Sequence, residues 1–384
     1  MNQLVSLKRK RLYDKKCRRY TNSINGKLYL TIADADFKVS KAIIKDVVSC
    51  VEIGDISYKY QKDELYDAVN KWYKKSWDID FDKEDILFAN GVLYWIHVAI
   101  YAFSKKGDNI LVMPPVYDPF YNLIKRTDRK MIKSNLVYKD HKWAIDFKDL
   151  EKKMVLSKLL LLCSPHNPTG NIWTREQLIK INDLAIKHNV ILVADEIWQD
   201  VILDGNFEHS LNLKNVSKVV HIASPAKTYN LGGLQYGHMI CKNTTLMKQM
   251  AKGHDALMSY SSSQPWITAA VVSAYTNPKN NVWKNEYIDL LSYNAHKLSN
   301  FLKDNDYNYA YPYGVSLMFI ELGDKKMHSD VMLKKLFDLG AVVTPGHNYG
   351  SEYKTWVRVN IAISAKDMAL FIKILEQLKN NGKD

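Results

Sequence analysis

Short apolar runs alternate with longer stretches of helical periodicity through the middle of the chain. The runs have the length of strands, and their continuous apolar character is typical of strands covered on both faces. They occupy the segments 109–113, 158–163, 190–194, 218–223 and 236–241. Because helix-like stretches lie between them, we expect an α/β fold whose large sheet is mostly parallel.

One of these helices carries a start signal in the sequence. Thr174 and Gln177 are spaced as in a capping box, in which each side chain bonds the backbone of the other residue. The apolar positions between Leu178 and Ala185 then follow a helical stripe. The pattern therefore predicts a helix that begins just after Thr174.

The C-terminal part of the chain has a different pattern. Three strand-like segments and one helix-like segment follow each other there: 316–322, 341–344, 356–363 and 365–379. A chain of 384 residues is larger than one core usually supports. We therefore predict a large domain over residues 41–280 and a smaller α+β domain made of residues 1–40 and 281–384.

The composition is that of an ordinary globular protein, with 47% hydrophobic and 25% charged residues. No apolar stretch approaches the roughly 20 residues of a membrane span. No apolar segment follows the charged N-terminus, so we expect no signal peptide. The four cysteines form no C-x-x-C pair and no metal-binding spacing, and Cys163 is expected to be a packed thiol. These observations favour a cytoplasmic protein without a bound metal.

The formal net charge is +13, and part of it is local, because basic residues dominate the segment 8–19. Such a run is found in nucleic-acid-binding arms and also in solvated terminal segments. No helix-turn-helix or zinc pattern accompanies it. We therefore interpret it as a solvated segment and do not expect a nucleic-acid partner.

Polar residues follow three of the predicted buried strands. Lys227 lies on the turn after the run 218–223, Asp195 ends the run 190–194, and Asn167 lies shortly after the run 158–163. Ligands of α/β proteins bind at the carboxyl ends of such strands. Lysine is the side chain that forms a Schiff base with a carbonyl cofactor. A carboxylate at a strand end, such as Asp195, is costly unless a cation pairs with it.

These segments resemble motifs of the fold-type I pyridoxal 5′-phosphate (PLP) enzymes, the aspartate aminotransferase superfamily. Further matching segments occur in order along nearly the whole chain, at 32–37, 91–93, 114–117 and 358–362. The segments 32–37, 114–117 and 164–168 are most similar to the cystathionine β-lyase and cysteine C–S lyase branch, the MalY/PatB-like enzymes. The resemblance implies a PLP cofactor and a small amino-acid substrate.

The resemblance also implies roles around the cofactor ring. Lys227 would be the catalytic residue that holds PLP, Asp195 would pair with the pyridine nitrogen, and Asn167 would donate to the ring O3′. Tyr117 would stack on the ring, although a core-packing tyrosine fits the same pattern. Trp198 stands near O3′ where the family usually has His or Tyr. Its indole N–H donates a hydrogen bond but accepts none.

The cofactor's phosphate would be bound at the start of a helix. Gly91, Val92 and Leu93 supply backbone N–H groups there, and glycine permits close approach. Ser224 would add a hydroxyl group. By resemblance, Tyr58 would reach the phosphate from a second subunit, which implies a homodimer with shared active sites. A tyrosine packed in the core is the other interpretation of Tyr58.

The resemblance also implies that Arg358 binds the α-carboxylate of the substrate. A guanidinium binds a carboxylate through two parallel hydrogen bonds. It also places Ala33 beside the substrate. Two residues depart from the family's pattern. Gln235 replaces an arginine often found on the phosphate, and Asp118 replaces a second tyrosine common in C–S lyases, which changes the charge of the substrate mouth.

Three functions remain open at this stage. The first is a PLP-dependent β-elimination that releases a thiol, pyruvate and ammonia from cystathionine, cysteine or another S-substituted cysteine. The second is an aminotransferase, which would use the same Lys227, Asp195 and Arg358. The third is a regulator with a PLP-enzyme fold that binds DNA through its basic N-terminal segment. We take the lyase as the leading hypothesis.

Overall fold

The computed structural model describes residues 3–7, 26–54, 57, 62–257, 264–323 and 329–380. Two sheets carry the fold of this part of the chain, one of seven strands and one of five, and a two-stranded hairpin is added to them. The strands are β1 (Leu28–Leu30), β2 (Ile86–Ala89), β3 (Asn109–Val112), β4 (Lys130–Lys133), β5 (Val137–Lys139), β6 (Lys142–Ala144), β7 (Leu159–Cys163), β8 (Ile191–Asp195), β9 (Val219–Ala223), β10 (Gly237–Ile240), β11 (Asn308–Ala310), β12 (Leu317–Glu321), β13 (Ala341–Pro345) and β14 (Trp356–Asn360).

The described helices surround these sheets. They are α1 (Lys41–Glu52), α2 (Lys62–Trp77), α3 (Val92–Phe103), α4 (Pro119–Arg126), α5 (Phe147–Met154), α6 (Arg175–Lys187), α7 (Thr244–Leu257), α8 (Pro265–Thr276), α9 (Lys279–Asp304), α10 (Ser329–Leu339) and α11 (Ala365–Asn380).

The large sheet has the strand order β2-β10-β9-β8-β7-β3-β4. Neighbouring strands from β9 to β4 run parallel, and β10 pairs antiparallel with both β9 and β2. The prediction of a mostly parallel α/β sheet is therefore confirmed.

Both faces of this sheet are buried, which explains the continuous apolar runs. On β7, Leu159 and Leu161 belong to a core shared with α3 and α7. The alternate residues Leu160 and Leu162 belong to a second core, shared with α2 and α6. Successive side chains of a strand point to opposite faces, so a strand covered on both sides needs apolar residues at every position.

The five-stranded sheet has the order β1-β13-β14-β12-β11. β1 comes from the N-terminal part of the chain and pairs parallel with β13, whereas the other neighbours are antiparallel. Helices α9, α10 and α11 bury their apolar faces with this sheet in a third core. The N-terminal segment thus joins the C-terminal sheet, in the arrangement expected for the smaller lobe. The exact domain boundaries stay a prediction.

The predicted capping box is present at the start of α6. Thr174 Oγ1 accepts the Gln177 N–H at 3.3 Å, and Gln177 Oε1 accepts the Thr174 N–H at 2.9 Å. Cys163 is a packed thiol, 2% exposed, in agreement with its interpretation from the sequence. Within the described part of the chain, no helix combines the length and apolarity needed to cross a bilayer.

Candidate active site

Three neighbouring parallel strands end at the same edge of the large sheet. Cys163 of β7 pairs with Asp195 of β8, which in turn pairs with Ile222 of β9. The Ser164 N–H then donates to Asp195 O at 2.9 Å, immediately after β7. The segments that follow the three strands carry Asn167, Asp195 and Lys227, so the topology brings the predicted ring-binding residues to one edge.

Lys227 faces a segment of the N-terminal region. Its Nζ donates to the carbonyl oxygen of Ala33 at 2.9 Å and lies 3.9 Å from Asp34 Oδ1. The same Nζ lies 5.7 Å from the ring centroid of Trp198, which is 2% exposed. Ala33 and Trp198, which are distant in sequence, therefore both border the lysine, as expected for one site.

Asp195 is a buried carboxylate, 3% exposed, whose Oδ1 accepts the Ile197 N–H at 3.2 Å. Burial raises its pKa to about 7, with a smaller increase from Glu196, while the Ile197 hydrogen bond and Lys227 act in the opposite direction. Among the described residues it forms no ion pair within 4.0 Å. A cationic partner supplied by a ligand would stabilise its charged form.

Arg358 lies on β14 and is 7% exposed. Its Nη1 donates to Asn167 Oδ1 at 3.3 Å, and its Nη2 donates to Thr31 O at 2.8 Å and Thr344 Oγ1 at 3.5 Å. All three acceptors are neutral oxygens, and no carboxylate of the described chain pairs with this guanidinium. Its charge is therefore available to an anionic ligand at the site.

Tyr117 borders the same space. Its ring is half-buried and meets Phe120 edge to face, with 5.6 Å between ring centroids. Burial raises the pKa of Tyr117, and the charge of Asp195 raises it further. The electrostatic influence of Asp195 on the phenol indicates that the two residues are near each other, as the predicted stacking role of Tyr117 requires.

The predicted phosphate-binding residues surround the start of α3. Gly91 caps this helix with a backbone φ of 104°, a conformation that favours glycine, and Val92 and Leu93 form the first turn. The Cβ of any larger residue at Gly237 would lie 2.6 Å from Gly91 C, so β10 passes directly beside this turn. Ser224 is 1% exposed, and its Oγ accepts the Ala226 N–H at 3.2 Å.

Gln235, which stands where the family often has arginine, is in a left-handed conformation with φ 53°. Its Nε2 donates to Gly232 O at 3.0 Å, and its Oε1 would lie 3.8 Å from a Cβ at Gly91. The side chain therefore borders the helix start without adding a charge. Tyr58, the predicted contribution of a second subunit, lies outside the described residues.

Two asparagines, not recognised from the sequence, hold the segment 31–37 beside Lys227. Asn230 Nδ2 donates to Ala35 O at 3.0 Å, and its Oδ1 accepts the Ala35 N–H at 3.0 Å. Asn360 Nδ2 donates to Ile32 O at 2.6 Å and Asp34 O at 2.7 Å. The only sequence signal was their position within the matching motifs, two or three residues beyond Lys227 and Arg358.

A second group missed by sequence analysis lies behind Asp195. Glu196 is fully buried, and its Oε2 lies 3.2 Å from His209 Nδ1 and 3.1 Å from His221 Nδ1. Tyr73 OH bonds His221 Nε2 at 2.7 Å, and Gln199 Oε1 bonds His209 Nε2 at 3.1 Å. We call these five residues the Glu196 cluster.

Three members of the cluster, Glu196, His209 and His221, place ligand atoms within 4.8 Å of one another. The Nδ1 of His209 already accepts the Leu211 N–H at 3.2 Å, and Glu196 Oε1 accepts the Ser210 N–H at 3.0 Å. The hydrogen bond from Leu211 uses the Nδ1 lone pair of His209 that a metal ion would need. We interpret the cluster as a buried hydrogen-bonded network.

The residues at the strand ends fit PLP. A buried carboxylate without an ion-pair partner suits a pyridinium, a lysine beside it suits an aldehyde, and a glycine-capped helix start suits a phosphate. The fold and the site together define the class of fold-type I PLP enzymes. The chain belongs to the aminotransferase class I and II family, whose profile matches residues 34–375, and this family is PLP-dependent.

Known proteins similar to this chain include C–S lyases. Cystathionine beta-lyase PatB of Bacillus subtilis (strain 168) is 29% identical over 352 residues, which cover 89% of each protein. Protein MalY of Escherichia coli (strain K12) is 27% identical, over 87% of this chain and 86% of MalY. The crystal structure of cystalysin from Treponema denticola, which contains pyridoxal 5′-phosphate, superposes with a TM-score of 0.91 at 25% identity, covering 99% of this chain and 98% of cystalysin. Aminotransferases are also among the relatives.

Proposed function

We propose that this protein is a PLP-dependent carbon–sulfur lyase that acts on cystathionine, cysteine or another S-substituted L-cysteine. The observation that carries the proposal is that Lys227 and Asp195 lie at one edge of the large sheet, where Asn167 accepts a hydrogen bond from Arg358. The guanidinium of Arg358 pairs with no carboxylate of the described chain. The similarity to the cystathionine beta-lyase PatB supports elimination as the reaction.

Arg358 and Asn167 orient the substrate and the cofactor ring. The two Nη atoms of Arg358 bind the α-carboxylate, since their acceptors in the protein are neutral oxygens. Asn167 Oδ1 is occupied by Arg358, which leaves the amide nitrogen of Asn167 as the donor to O3′. Tyr117 supplies the aromatic face against the ring, and Trp198 closes the side next to Lys227.

Lys227 and Asp195 carry the electrostatic part of the mechanism. When bound, PLP supplies an electron sink that makes the α-proton of an amino acid acidic. Asp195 keeps the sink effective, because its carboxylate favours a proton on the pyridine nitrogen. Lys227 Nζ takes the α-proton as a general base, a role worth about 10²–10⁴-fold in rate.

The reaction balances without an added oxidant. The Cα–H and Cβ–S bonds break, the thiolate leaves with a proton, and water hydrolyses the released unsaturated amino acid. The products are a thiol, pyruvate and ammonia. The segment 31–37 lies against Lys227 through the carbonyl oxygen of Ala33.

The test uses purified protein with added PLP and a panel of L-cystathionine, L-cysteine and S-alkyl-L-cysteines. Pyruvate is measured with a coupled dehydrogenase, and thiols are measured with a disulfide reagent. We expect equal amounts of thiol and pyruvate, and none from Lys227→Ala. Conversion of 2-oxo acids to amino acids without thiol release would instead identify an aminotransferase, the second candidate, which the relatives of that activity support.

We further propose a homodimer with shared active sites. Helix α1 exposes Ile44, Val48 and Val51 at helical spacing, with 49%, 45% and 44% exposure, and Ile53 beyond its end is 76% exposed. An apolar stripe of this kind is typical of an interface. It lies close in sequence to Tyr58, which by the family resemblance completes the neighbour's phosphate site. Light scattering of the active enzyme tests this, and a fully active monomer would contradict it.

A further inference from the structure

Asp118 is a carboxylate at the active site for which the proposed mechanism has no use. It stands at the N-cap of α4 but accepts no capping hydrogen bond from that helix. Its side chain is half-buried, and it forms no ion pair with any described residue. Burial raises its pKa, so keeping this carboxyl in place has a cost. An unpaired and partly buried acid beside a ligand site is typical of a group that meets a ligand.

Hydrogen bonds place Asp118 on the same side of the site as Arg358. Asp118 O accepts the Tyr121 N–H at 3.0 Å, and Tyr121 OH donates to Tyr349 O at 2.9 Å. The guanidinium carbon of Arg358 lies 5.7 Å from the centroid of the Tyr349 ring. Tyr117, immediately before Asp118, provides the aromatic face of the site.

Arg358 and Asp118 influence each other without forming an ion pair. The positive charge of Arg358 lowers the pKa of Asp118, against the larger effect of burial. Lys133 Nζ lies 5.7 Å from the centroid of the Tyr121 ring and, within the described chain, likewise forms no ion pair with Asp118. A substrate whose α-carboxylate occupies Arg358 therefore lies near a separate negative charge, that of Asp118.

We propose that Asp118 is a specificity-determining residue that favours amino acids with a positively charged group at the far end of the side chain. For the lyase, these are S-substituted cysteines whose thiol part carries an ammonium group, and anionic thiol parts are disfavoured. The proposal rests on the proposed function for its substrate class. The attraction of opposite charges and the repulsion of like charges set the preference.

The first experiment measures binding and requires no turnover. The holoenzyme is titrated with L-lysine and with L-2-aminoheptanoate, which has the same length but no terminal charge, and the absorbance of the bound cofactor reports occupancy. We compare the ratio of the two dissociation constants in the wild type and in Asp118→Asn. If Asp118 makes a charge-assisted contact, the dissociation constant of L-lysine relative to that of L-2-aminoheptanoate should be about tenfold or more higher in Asp118→Asn than in the wild type. An unchanged ratio would overturn the proposal.

Two further variants separate the local charge of Asp118 from folding and from the net charge of the protein. Asp118→Glu keeps the charge and should retain a preference for lysine, which distinguishes a charge effect from a folding defect. Asp140→Asn removes the same charge from the exposed turn between β5 and β6, and it should keep the wild-type ratio. An equal change in Asp140→Asn would assign the effect to net charge and refute the role of Asp118.

The second experiment applies the same comparison to turnover. In the wild type, kcat/KM should be higher for S-(2-aminoethyl)-L-cysteine than for S-propyl-L-cysteine. The ratio of these two kcat/KM values should fall about tenfold in Asp118→Asn. If no cysteine conjugate yields pyruvate while the binding ratio still depends on Asp118, the lyase proposal fails and the selectivity stands. If pyruvate forms with the same ratio in both proteins, the lyase stands and the selectivity fails.

Discussion

Asp195→Asn is expected to lower turnover. It is also expected to raise the free energy of unfolding of the cofactor-free protein at neutral and higher pH. Asp195 is 3% exposed, and burial raises its pKa to about 7, against about 3.9 for an aspartate in an unfolded chain. A carboxyl whose folded pKa is raised binds its proton more tightly in the folded state. Its contribution to stability is therefore present at low pH and lost as the pH rises from about 4 to about 7.

The magnitude follows from the difference between the two pKa values. About three units at about 1.4 kcal/mol each give about 4 kcal/mol, of which about 3 kcal/mol is lost between pH 5 and pH 8. Asparagine does not titrate, so the stability of cofactor-free Asp195→Asn relative to the wild type should rise by about 3 kcal/mol over this range. Urea unfolding of the two apoproteins, followed by tryptophan fluorescence, measures the change.

With PLP bound, the wild type should be more stable than Asp195→Asn. A pyridinium stabilises the ionised form of Asp195, so the cofactor should stabilise the wild type much more than Asp195→Asn at pH 8. The variant should also lose most of its turnover, because an amide does not keep the pyridine nitrogen protonated. Asp140→Asn serves as the control and should follow the wild type at every pH. A stability difference between Asp195→Asn and the wild type that does not vary with pH would refute this reasoning.

Three other changes test further parts of the site. Lys227→Ala should still bind PLP but lose the covalent link, so mass spectrometry after borohydride reduction should find no adduct. Arg358→Ala should raise KM for α-amino acids more than about tenfold, since a charge-assisted contact contributes about 1.5–3 kcal/mol; a fall in kcat alone would contradict its role. Glu196→Ala should lower the thermal unfolding midpoint more than Glu196→Gln does, because it leaves the buried Ser210 N–H without its acceptor.

The central strands were predictable because burial on both faces leaves a continuous apolar run. The segments 190–194 and 218–223 differ by one residue or less at each end from β8 and β9. The strands β4, β5, β6 and β11 were not predicted. They are three or four residues long and contain exposed positions, so their formation depends on neighbouring strands more than on their own apolar pattern.

The candidate site was predictable where a residue follows a strand within a short motif, as Asn167, Asp195 and Lys227 do. The Glu196 cluster was not, because Tyr73, Glu196, His209 and His221 come from elements that are far apart in the sequence. Each of them alone looks like an ordinary helix, loop or strand residue. The register of β8 and β9 and the packing of α2 bring them together, and single-sequence patterns contain no signal for that contact.

The two adjacent carboxyl groups at the end of β8 have different surroundings. Asp195 faces the side where Lys227 and Tyr117 lie, and Glu196 faces His209 and His221. Burial raises the pKa of Glu196 to about 8 and that of Asp195 to about 7. The charge of Lys227 lowers the pKa of Asp195, and a pyridinium partner would lower it further. Glu196 has no cationic partner in His221, because burial lowers the pKa of His221 to about 3 and keeps that imidazole neutral. Of the two adjacent carboxyl groups, Asp195 is therefore the one that we propose to meet the cofactor nitrogen.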